Sequence, residues 1–561
     1  MQDKKLRLLF YFIWVCTLLI QAYHVELRGD EAYYWMYSRD LAWGYFDHPP
    51  VVAVLVKLGY ALFQNELGVR LFFVLLCTAT IGVMEKMIQP SNLKLFYAII
   101  LSIAFLQLGM VFGGGMFAIP DFPLLFFTAL FFYLYKHYLQ ETSWLVVVSL
   151  SVVISLLLLS KYHGILIIGF TLLSNLKLVR QKSFWVMAVL STLLFLPHVH
   201  WQLTHDFPSI KYHFFERSSK GYSFSFTTEY LATQPFILGP FIGLLLIYLG
   251  VMLKPKDVFE RSLKWMAVGT YFFFFLMTFK GRVEGNWTII TFVPLLYIGY
   301  NHIEQNERLK KITFYSFIVS LILIVVVRVC LIFNYFPSSL ELSKSLGARR
   351  WSKELKEKTN GKPVAFMNSY QRASLHEFYS GVPAFSLNNV WGRKNQYSIW
   401  DTESKFQGES VAVVANYPLP QYDSILFATE YLPYVLIDNF RSTSNITIQS
   451  DLKSPVILKP SDTLRVRVKF DYQNKNIRAL ENNKDFPSVI LYSFFQSGNA
   501  VDIKSSDFVL QDSMFDPYQK FDLLITAPKV PGDYDFYLSV STGWLPPGIN
   551  SEKIKFIVKE P

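Results

Sequence analysis

The sequence predicts a polytopic α-helical membrane protein that carries a C-terminal α/β unit and a β-sandwich. Three observations lead there. Apolar runs recur through roughly the first 335 residues, lysine and arginine gather in alternate loops between them, and the remainder changes to short strands and then to period-two alternation. The 52% apolar content of the 561 residues is thus an average over two unlike halves.

A spanning helix needs about 20 largely apolar residues. The runs that approach this are 8–25, 69–88, 93–112, 122–139, 144–160, 163–178, 184–200, 235–253, 265–279, 288–301 and 312–334, about eleven spans. The pair 265–279 and 288–301 is short enough to be tilted or to form a re-entrant hairpin. Segment 50–63 is shorter still and holds Lys57, so it reads as an interfacial helix. Lys4-Lys5-Leu6-Arg7 before the first run, with no small-x-small site after it, reads as an uncleaved signal anchor.

With the N-terminus inside, one set of loops holds Lys86, Lys94, Lys136, Lys177, Arg180, Lys182, Lys254, Lys256, Arg261, Lys264, Arg308, Lys310 and Lys311. This positive-inside bias puts the C-terminal half outside, in the periplasm if the membrane is a bacterial inner membrane. The net charge of +11 then belongs to topology and not to nucleic acid. Cys16, Cys77 and Cys330 all lie within apolar runs and read as small core residues, without a disulfide in the exported half.

Past the last run, 341–360 reads as a charged linker helix. Val364-Ala365-Phe366 and Val411-Ala412-Val413-Val414 read as buried strands with a helix over Ala373 to Tyr379 between them, an α/β domain over 336–450. Leu464 to Phe470 alternates strictly, and Val489 to Tyr492, Phe521-Leu523-Ile525 and Phe536-Leu538-Val540 continue the pattern around turns such as Pro531-Gly532-Asp533. The expectation for 451–561 is an Ig-like β-sandwich.

The residues able to do chemistry lie in the loops opposite the lysine-rich ones. Arg28-Gly29-Asp30-Glu31 follows the first run, and Asp47-His48-Pro49-Pro50 closes the same loop. Two adjacent carboxylates beside an apolar surface are costly unless used. Asp121, bracketed by Pro120 and Pro123, either caps a helix or serves the same site. Lys161, in Ser160-Lys161-Tyr162-His163-Gly164, breaks the charge bias. It either neutralises a phosphate or snorkels to the interface. Lys280-Gly281-Arg282-Val283-Glu284-Gly285-Asn286-Trp287 is a polar hairpin whose Arg282 suits fork-like phosphate contact. His198, His200, His205 and His213, with Asp47 or His48, could hold a divalent metal, although their spacing matches no standard site. Neither a P-loop nor a Rossmann glycine pattern is present, and Gly113-Gly114-Gly115 reads as a flexible turn.

The run from Arg28 to Pro50, Asp121 in its Pro-Asp-x-Pro setting, Ser160 to Gly164 and Glu284 to Trp287 together resemble glycosyltransferase family 39. That family includes the protein O-mannosyltransferases and the lipid A aminoarabinose transferase, within the C-type glycosyltransferase superfamily. Gly392 to Tyr397 with Trp400 is also similar to bacterial members with an α/β tail. The resemblance implies a C-type glycosyltransferase fold and inverting transfer from a polyprenyl-phosphate sugar to a lipid, glycan or protein acceptor. It makes Asp30 the carboxylate that activates the acceptor hydroxyl, Glu31 its positioner, and Asp121 a second acid. Lys161, Arg282 and His48 become candidates for the donor phosphate, with Asp47, Tyr162, His163, Glu284 and Asn286 beside them. Asp47-His48 departs from the Glu-Lys that often precedes the paired prolines in the aminoarabinose branch. The competing readings are a transporter or flippase of lipid-linked sugars, which would put charges within spans and show repeat symmetry, a non-catalytic sensor, and an O-antigen ligase or polymerase.

Overall fold

A computed structural model describes residues 2–103, 115–216, 222–333, 335, 347–427, 430–444, 446–472, 487–496, 498–510 and 519–560. The chain divides into two compact units, Met1–Ser343 and Lys344–Pro561.

The first unit is helical. Four of its helices, Asp3–His24, Glu66–Ile88, Lys182–Thr204 and Glu307–Phe333, are long and apolar enough to cross a membrane. Their surfaces fit that role: Glu307–Phe333 leaves Ile318, Ile322, Val325 and Val326 exposed, a face suited to lipid and not to water. Asp121–Gln140, Trp144–Ser160, Gly164–Ser174 and Val258–Met277 pack among them. Val51–Leu62 is an α-helix of 12 residues, too short to cross.

Three of the expected spans differ, one of them 163–178, where the α-helix is only Gly164–Ser174 and a 3-10 turn, Leu176–Arg180, follows it. The run 235–253 is not continuous: Phe224–Leu238 and Gly243–Met252 meet at a bend of 102°. Gly239-Pro240 lies at the break, and Gly239 has a φ of +153°, with space for a Cβ denied by Ser102 O at 2.5 Å. The run 288–301 begins as a 3-10 turn, Gly285–Thr291, before the helix Phe292–Ile303. Of 93–112, the helix Leu93–Ser102 is present and 104–114 lies outside the described residues, as do Gly113 and Gly114.

Many polar contacts between helices fall at two opposite ends of this unit, while midway Ser155 Oγ donates to Ser191 O and Ser191 Oγ to Ser151 O, both at 3.1 Å. At one end Glu85 accepts from Arg7 Nε at 2.5 Å and from the hydroxyls of Tyr11 and Tyr97 at 3.0 and 3.1 Å. Lys136 donates to Met87 O at 2.9 Å, Tyr138 to Gln181 at 2.5 Å, and Asn92 N to Glu304 at 3.2 Å. The lysine-rich loops lie here, and Asn92, Ser143 and Asp257 cap the helices that start from this end. At the other end lie residues 22–31, 66–70, 118–121, 161–163 and 286–287, joined as described below. The helices between the two ends are apolar because backbone groups there bond within the helix and side chains face lipid or other helices.

The second unit holds three sheets. β1 (Val364–Met367), β2 (Ala384–Leu387), β3 (Val411–Val414), β4 (Asp423–Phe427) and β5 (Glu430–Ile437) form one, in the order β2-β1-β3-β5-β4. β1 runs parallel to β2 and β3, and β5 antiparallel to β3 and β4. The crossover from β1 to β2 is the helix Tyr370–Ser380, where alternation gave way to helical spacing. Helix Ala348–Lys358 represents the charged linker, and 341–346 lies outside the described residues.

β6 (Ile446–Ser450), β7 (Val456–Leu458), β8 (Thr463–Tyr472), β9 (Ser488–Gln496), β10 (Asn499–Val509), β11 (Phe521–Thr526), β12 (Gly532–Thr542) and β13 (Ile554–Val558) make sheets β10-β9-β12-β13-β7 and β11-β8-β6. The inward residues of both, among them Val466, Val468, Phe470 and Ile525 from one and Phe494, Phe536, Leu538 and Phe556 from the other, share a single core, which makes a sandwich. Its first strand, β6, starts ahead of residue 451.

Glu403 is buried in this unit and accepts from Ser442 Oγ at 2.9 Å and Thr443 N at 3.2 Å. Burial nonetheless pushes its carboxyl up from 4.5 to about 7. The unfolded carboxyl ionises above 4.5, so the stability that Glu403 contributes is complete below that pH and is lost as pH rises through about 7. Glu403→Gln is therefore expected to stabilise the protein at pH 8, by up to about 3 kcal/mol, and to give no gain at pH 4.5. Thermal unfolding of both proteins at the two pH values checks this.

Candidate active site

The site is built around Arg70, which stands in the first turns of helix Glu66–Ile88 and is fully buried. A guanidinium has five N–H donors, and here all are used. Nε donates to Glu31 Oε1 at 2.7 Å and Nη2 to Glu31 Oε2 at 2.6 Å. Nη1 donates to Ala22 O at 3.0 Å and Val25 O at 2.5 Å, and Nη2 also to Glu26 O at 2.9 Å. The last turn of the first helix is thereby tied to the fork.

Glu31 is as fully engaged. Oε1 also accepts from Ala118 N at 3.0 Å, and Oε2 from Arg28 N at 3.0 Å. Phe117 closes the clamp, with the guanidinium of Arg28 4.8 Å and that of Arg70 5.4 Å from its ring centre. Both oxygens of Glu31 are thus taken up by donors of the protein itself, and its geometry is that of a positioning residue. Asp30, its neighbour in helix Gly29–Arg39, is exposed.

Asp121 opens helix Asp121–Gln140 three residues beyond Ala118. Its Oδ1 accepts from Lys161 Nζ at 2.8 Å and from Asn286 Nδ2 at 3.0 Å. All three side chains are buried. Asp121 therefore does more than begin a helix, and Lys161 does not snorkel. Three residues chosen separately from the sequence, 40 and 165 positions from Asp121, meet at one carboxylate oxygen. The Oδ1 of Asn286 is a buried acceptor with no hydrogen-bond partner among the described residues.

The tight turn between helices Trp144–Ser160 and Gly164–Ser174 sends its three side chains to three places. Lys161 goes to Asp121. The ring of His163 lies 5.1 Å from Phe274 and 5.2 Å from Trp287, beside Asn286. Tyr162 turns to the loop after helix Gly29–Arg39. Its hydroxyl stands 3.2 Å from His198 Nε2, and His198 Nδ1 stands 2.7 Å from Trp43 O. A carbonyl only accepts, so Nδ1 carries the proton and Tyr162 donates to Nε2.

The same loop is held at two further carbonyls, by Ser209 Oγ on Tyr45 O at 3.0 Å and by His213 Nε2 on Asp47 O at 3.0 Å. Gln202 links the two sets, donating to Tyr162 at 3.1 Å and Ser209 at 2.8 Å. Asp47 accepts from Tyr37 at 2.6 Å, and a Cβ at Gly44 would stand 2.4 Å from the Trp201 ring.

Other expected site residues are placed elsewhere. Arg282 is exposed and lies 3.7 Å from Glu229, and among the described residues no ion pair joins it to Asp121. His48 lies against Tyr34, ring centres 5.5 Å apart. Glu284 is half-buried at the start of the turn that carries Asn286. The proposed metal ligands do not fit a metal: His198 and His213 bind backbone carbonyls, His200 is exposed, and among the described residues no group of three His, Cys, Asp or Glu is gathered. Sequence reasoning passed over Arg70, Tyr37, Gln202 and Ser209. Only Arg70 carried a signal, as an arginine inside an apolar run.

Against known proteins, the family described as dolichyl-phosphate-mannose-protein mannosyltransferase matches residues 47–201. A lipid A galacturonosyltransferase, RgtD of Rhizobium johnstonii, is 21% identical over 276 residues, covering 47% of this chain and 58% of that protein. The chain thus spans less than two thirds of the relative's length. The structure of ArnT from Cupriavidus metallidurans in the apo state aligns with a TM-score of 0.56 at 13% identity, over 78% of this chain and 98% of that one. The same protein bound to undecaprenyl phosphate aligns at 0.54 with 14% identity, over 77% and 98%. These likenesses bear out the resemblance to glycosyltransferase family 39, and the fold is that of ArnT.

Removing one partner of a buried ion pair typically costs about 3–5 kcal/mol, because the other charge is left uncompensated. Arg70→Met should therefore lower the melting temperature of the purified protein markedly, while Glu31→Gln with Arg70→Met should recover part of the loss. Thermal unfolding of the two variants beside the parent checks the coupling.

Proposed function

We propose that this chain transfers a sugar from a polyprenyl-phosphate carrier to a hydroxyl acceptor at the outer face of a bacterial inner membrane. The buried meeting of Asp121, Lys161 and Asn286, beside the clamp that presents Asp30, carries the reading. The undecaprenyl phosphate bound by ArnT and the lipid A acceptor named for the galacturonosyltransferase support a lipid-phosphate donor and an envelope-lipid acceptor.

The two reacting ends need opposite help. The leaving group is a lipid phosphate whose charge grows as the glycosidic bond lengthens. Lys161, held by Asp121 through one N–H, has further N–H groups for that phosphate, and charge-assisted bonds in a water-poor site are strong. Asn286 steadies the pair and offers its unmet acceptor to a sugar hydroxyl. On the other side of the sugar the acceptor hydroxyl must lose its proton as it attacks. Asp30 is the base, exposed and fixed by its anchored neighbour Glu31. Attack opposite to departure inverts the anomeric centre.

Helix direction supports the membrane placement. Helix Glu307–Phe333 begins next to Glu304 at the lysine-rich end, and its Arg328 donates to Gln21, one residue before Ala22 of the clamp. The chain leaves the first unit at the Asp30 end. We assign that end to the periplasm, with about eleven passes, and place there the α/β domain of 336–450 and the sandwich of 451–561.

Asp30→Asn, made at normal abundance, is expected to lose roughly 10²–10⁴-fold of transfer rate, the usual worth of a general base. Lys161→Met should also abolish transfer, whereas Arg282→Met should stay near the parent. The assay is transfer from a polyprenyl-phosphate sugar to lipid A in membranes. Retained activity in Asp30→Asn, or equal loss in the Lys161 and Arg282 variants, overturns the assignment.

A further inference from the structure

We propose that the lysine-rich end of the helical unit carries a binding site for the headgroup of an anionic phospholipid. A pocket of about 410 Å³, its open mouth included, lies where helix Gly243–Met252 ends, helix Val258–Met277 begins and helix Phe292–Ile303 finishes. Lys254, Lys256 and Lys264 line it together with Asn301 and His302, and Glu260 is the one carboxylate among the lining residues.

The charges do not cancel. Glu260 Oε2 accepts from the backbone N of Lys256 at 2.8 Å, and so is turned to the main chain. Lys264 Nζ donates to Leu253 O at 2.8 Å and keeps further N–H groups for a ligand. Lys254 and Lys256 are exposed at the rim. Three lysines, an asparagine and a histidine thus line one open concavity. A positive-inside bias asks only that cations remain on one side; it does not ask them to converge on one pocket. Basic pockets between membrane helices on the cytoplasmic side are suited to acidic lipid headgroups.

The surroundings favour a lipid over a free phosphate. Tyr248 and Met252 on one adjoining helix and Trp265 and Phe272 on the other are exposed apolar side chains. A headgroup held by the lysines would lay its acyl chains along these faces, and inorganic phosphate would use none of them. The inference rests on the membrane placement proposed above and not on the transfer reaction.

The test uses the full chain, purified and reconstituted in nanodiscs of phosphatidylcholine, with or without phosphatidylglycerol. Lipid retention is read by native mass spectrometry and stability by thermal unfolding. Phosphatidylglycerol should be retained at least tenfold more than phosphatidylcholine and raise the melting temperature by several degrees. Lys254→Gln with Lys256→Gln should remove both effects and leave stability in phosphatidylcholine unchanged. Glu260→Gln should strengthen retention, which keeps a readout if the double variant folds poorly. Lys177→Gln with Arg180→Gln, on the same end but outside the pocket, should change neither. Equal retention of the two lipids overturns the proposal. So does an equal loss in the Lys177 and Arg180 variant, or reproduction of the stabilisation by inorganic phosphate alone.

Discussion

The ion pair of Glu31 with Arg70 is the constraint on which the Asp30 end of the helical unit depends. Taking two charges out of water costs several kcal/mol for each ion, and their attraction offsets this only where geometry is good and every remaining lone pair and proton is matched. Here the matching is complete. Five guanidinium donors meet three carbonyls and a carboxylate, and the carboxylate's remaining positions take two backbone N–H groups. The groups joined belong to the end of the first helix, the start of helix Gly29–Arg39, the start of helix Glu66–Ile88, and the turn before Asp121. None of these can shift alone without unmaking a buried charge contact.

The second buried cluster follows from the first. Because Ala118 is fixed, the start of helix Asp121–Gln140 is fixed, and so is the carboxylate that receives Lys161 and Asn286. The turn at Lys161 then sets Tyr162, whose chain of hydrogen bonds through His198, Gln202 and Ser209 fastens the loop from Trp43 to Asp47. Polar groups collect at helix ends because the apolar middle has no water to satisfy them. In this unit the two buried polar clusters share one rim, and the loops beside them are held by it.

Much of this was legible in the residues, and the reason is contrast. Asp30-Glu31, Asp121, Lys161 and Asn286 stand out because they are polar residues at the ends of apolar runs. The sandwich strands were legible because Leu464 to Phe470 alternates without a fault. Arg70 stood out only as an arginine in an apolar run; its role was hidden, since its partner is 39 positions away, a pairing that no local pattern encodes. The histidines failed for a related reason. Spacing cannot distinguish a ring that binds a metal from one that binds a carbonyl, and His198 and His213 bind carbonyls. Arg282 had the right chemistry on the right hairpin, yet Asn286 is the residue of that hairpin that turns inward. The break at Gly239 was hidden because both flanking segments are apolar, and strand order within the sheets depends on long-range pairing.

The doublet at the first loop gives its two adjacent carboxylates different surroundings. Successive residues on a helix point about 100° apart. With Glu31 directed into the core, Asp30 is carried round to the accessible side, and the structure leaves it exposed. Anchoring the neighbour fixes the backbone that carries Asp30. The order and the lengths both matter. An aspartate at position 31 would be one methylene short of spanning Arg70, Ala118 N and Arg28 N together, and a glutamate at position 30 would add a rotatable bond to the group proposed as the base. The pair reads as Asp-Glu in this order because the longer side chain has to reach and the shorter one has to stay still.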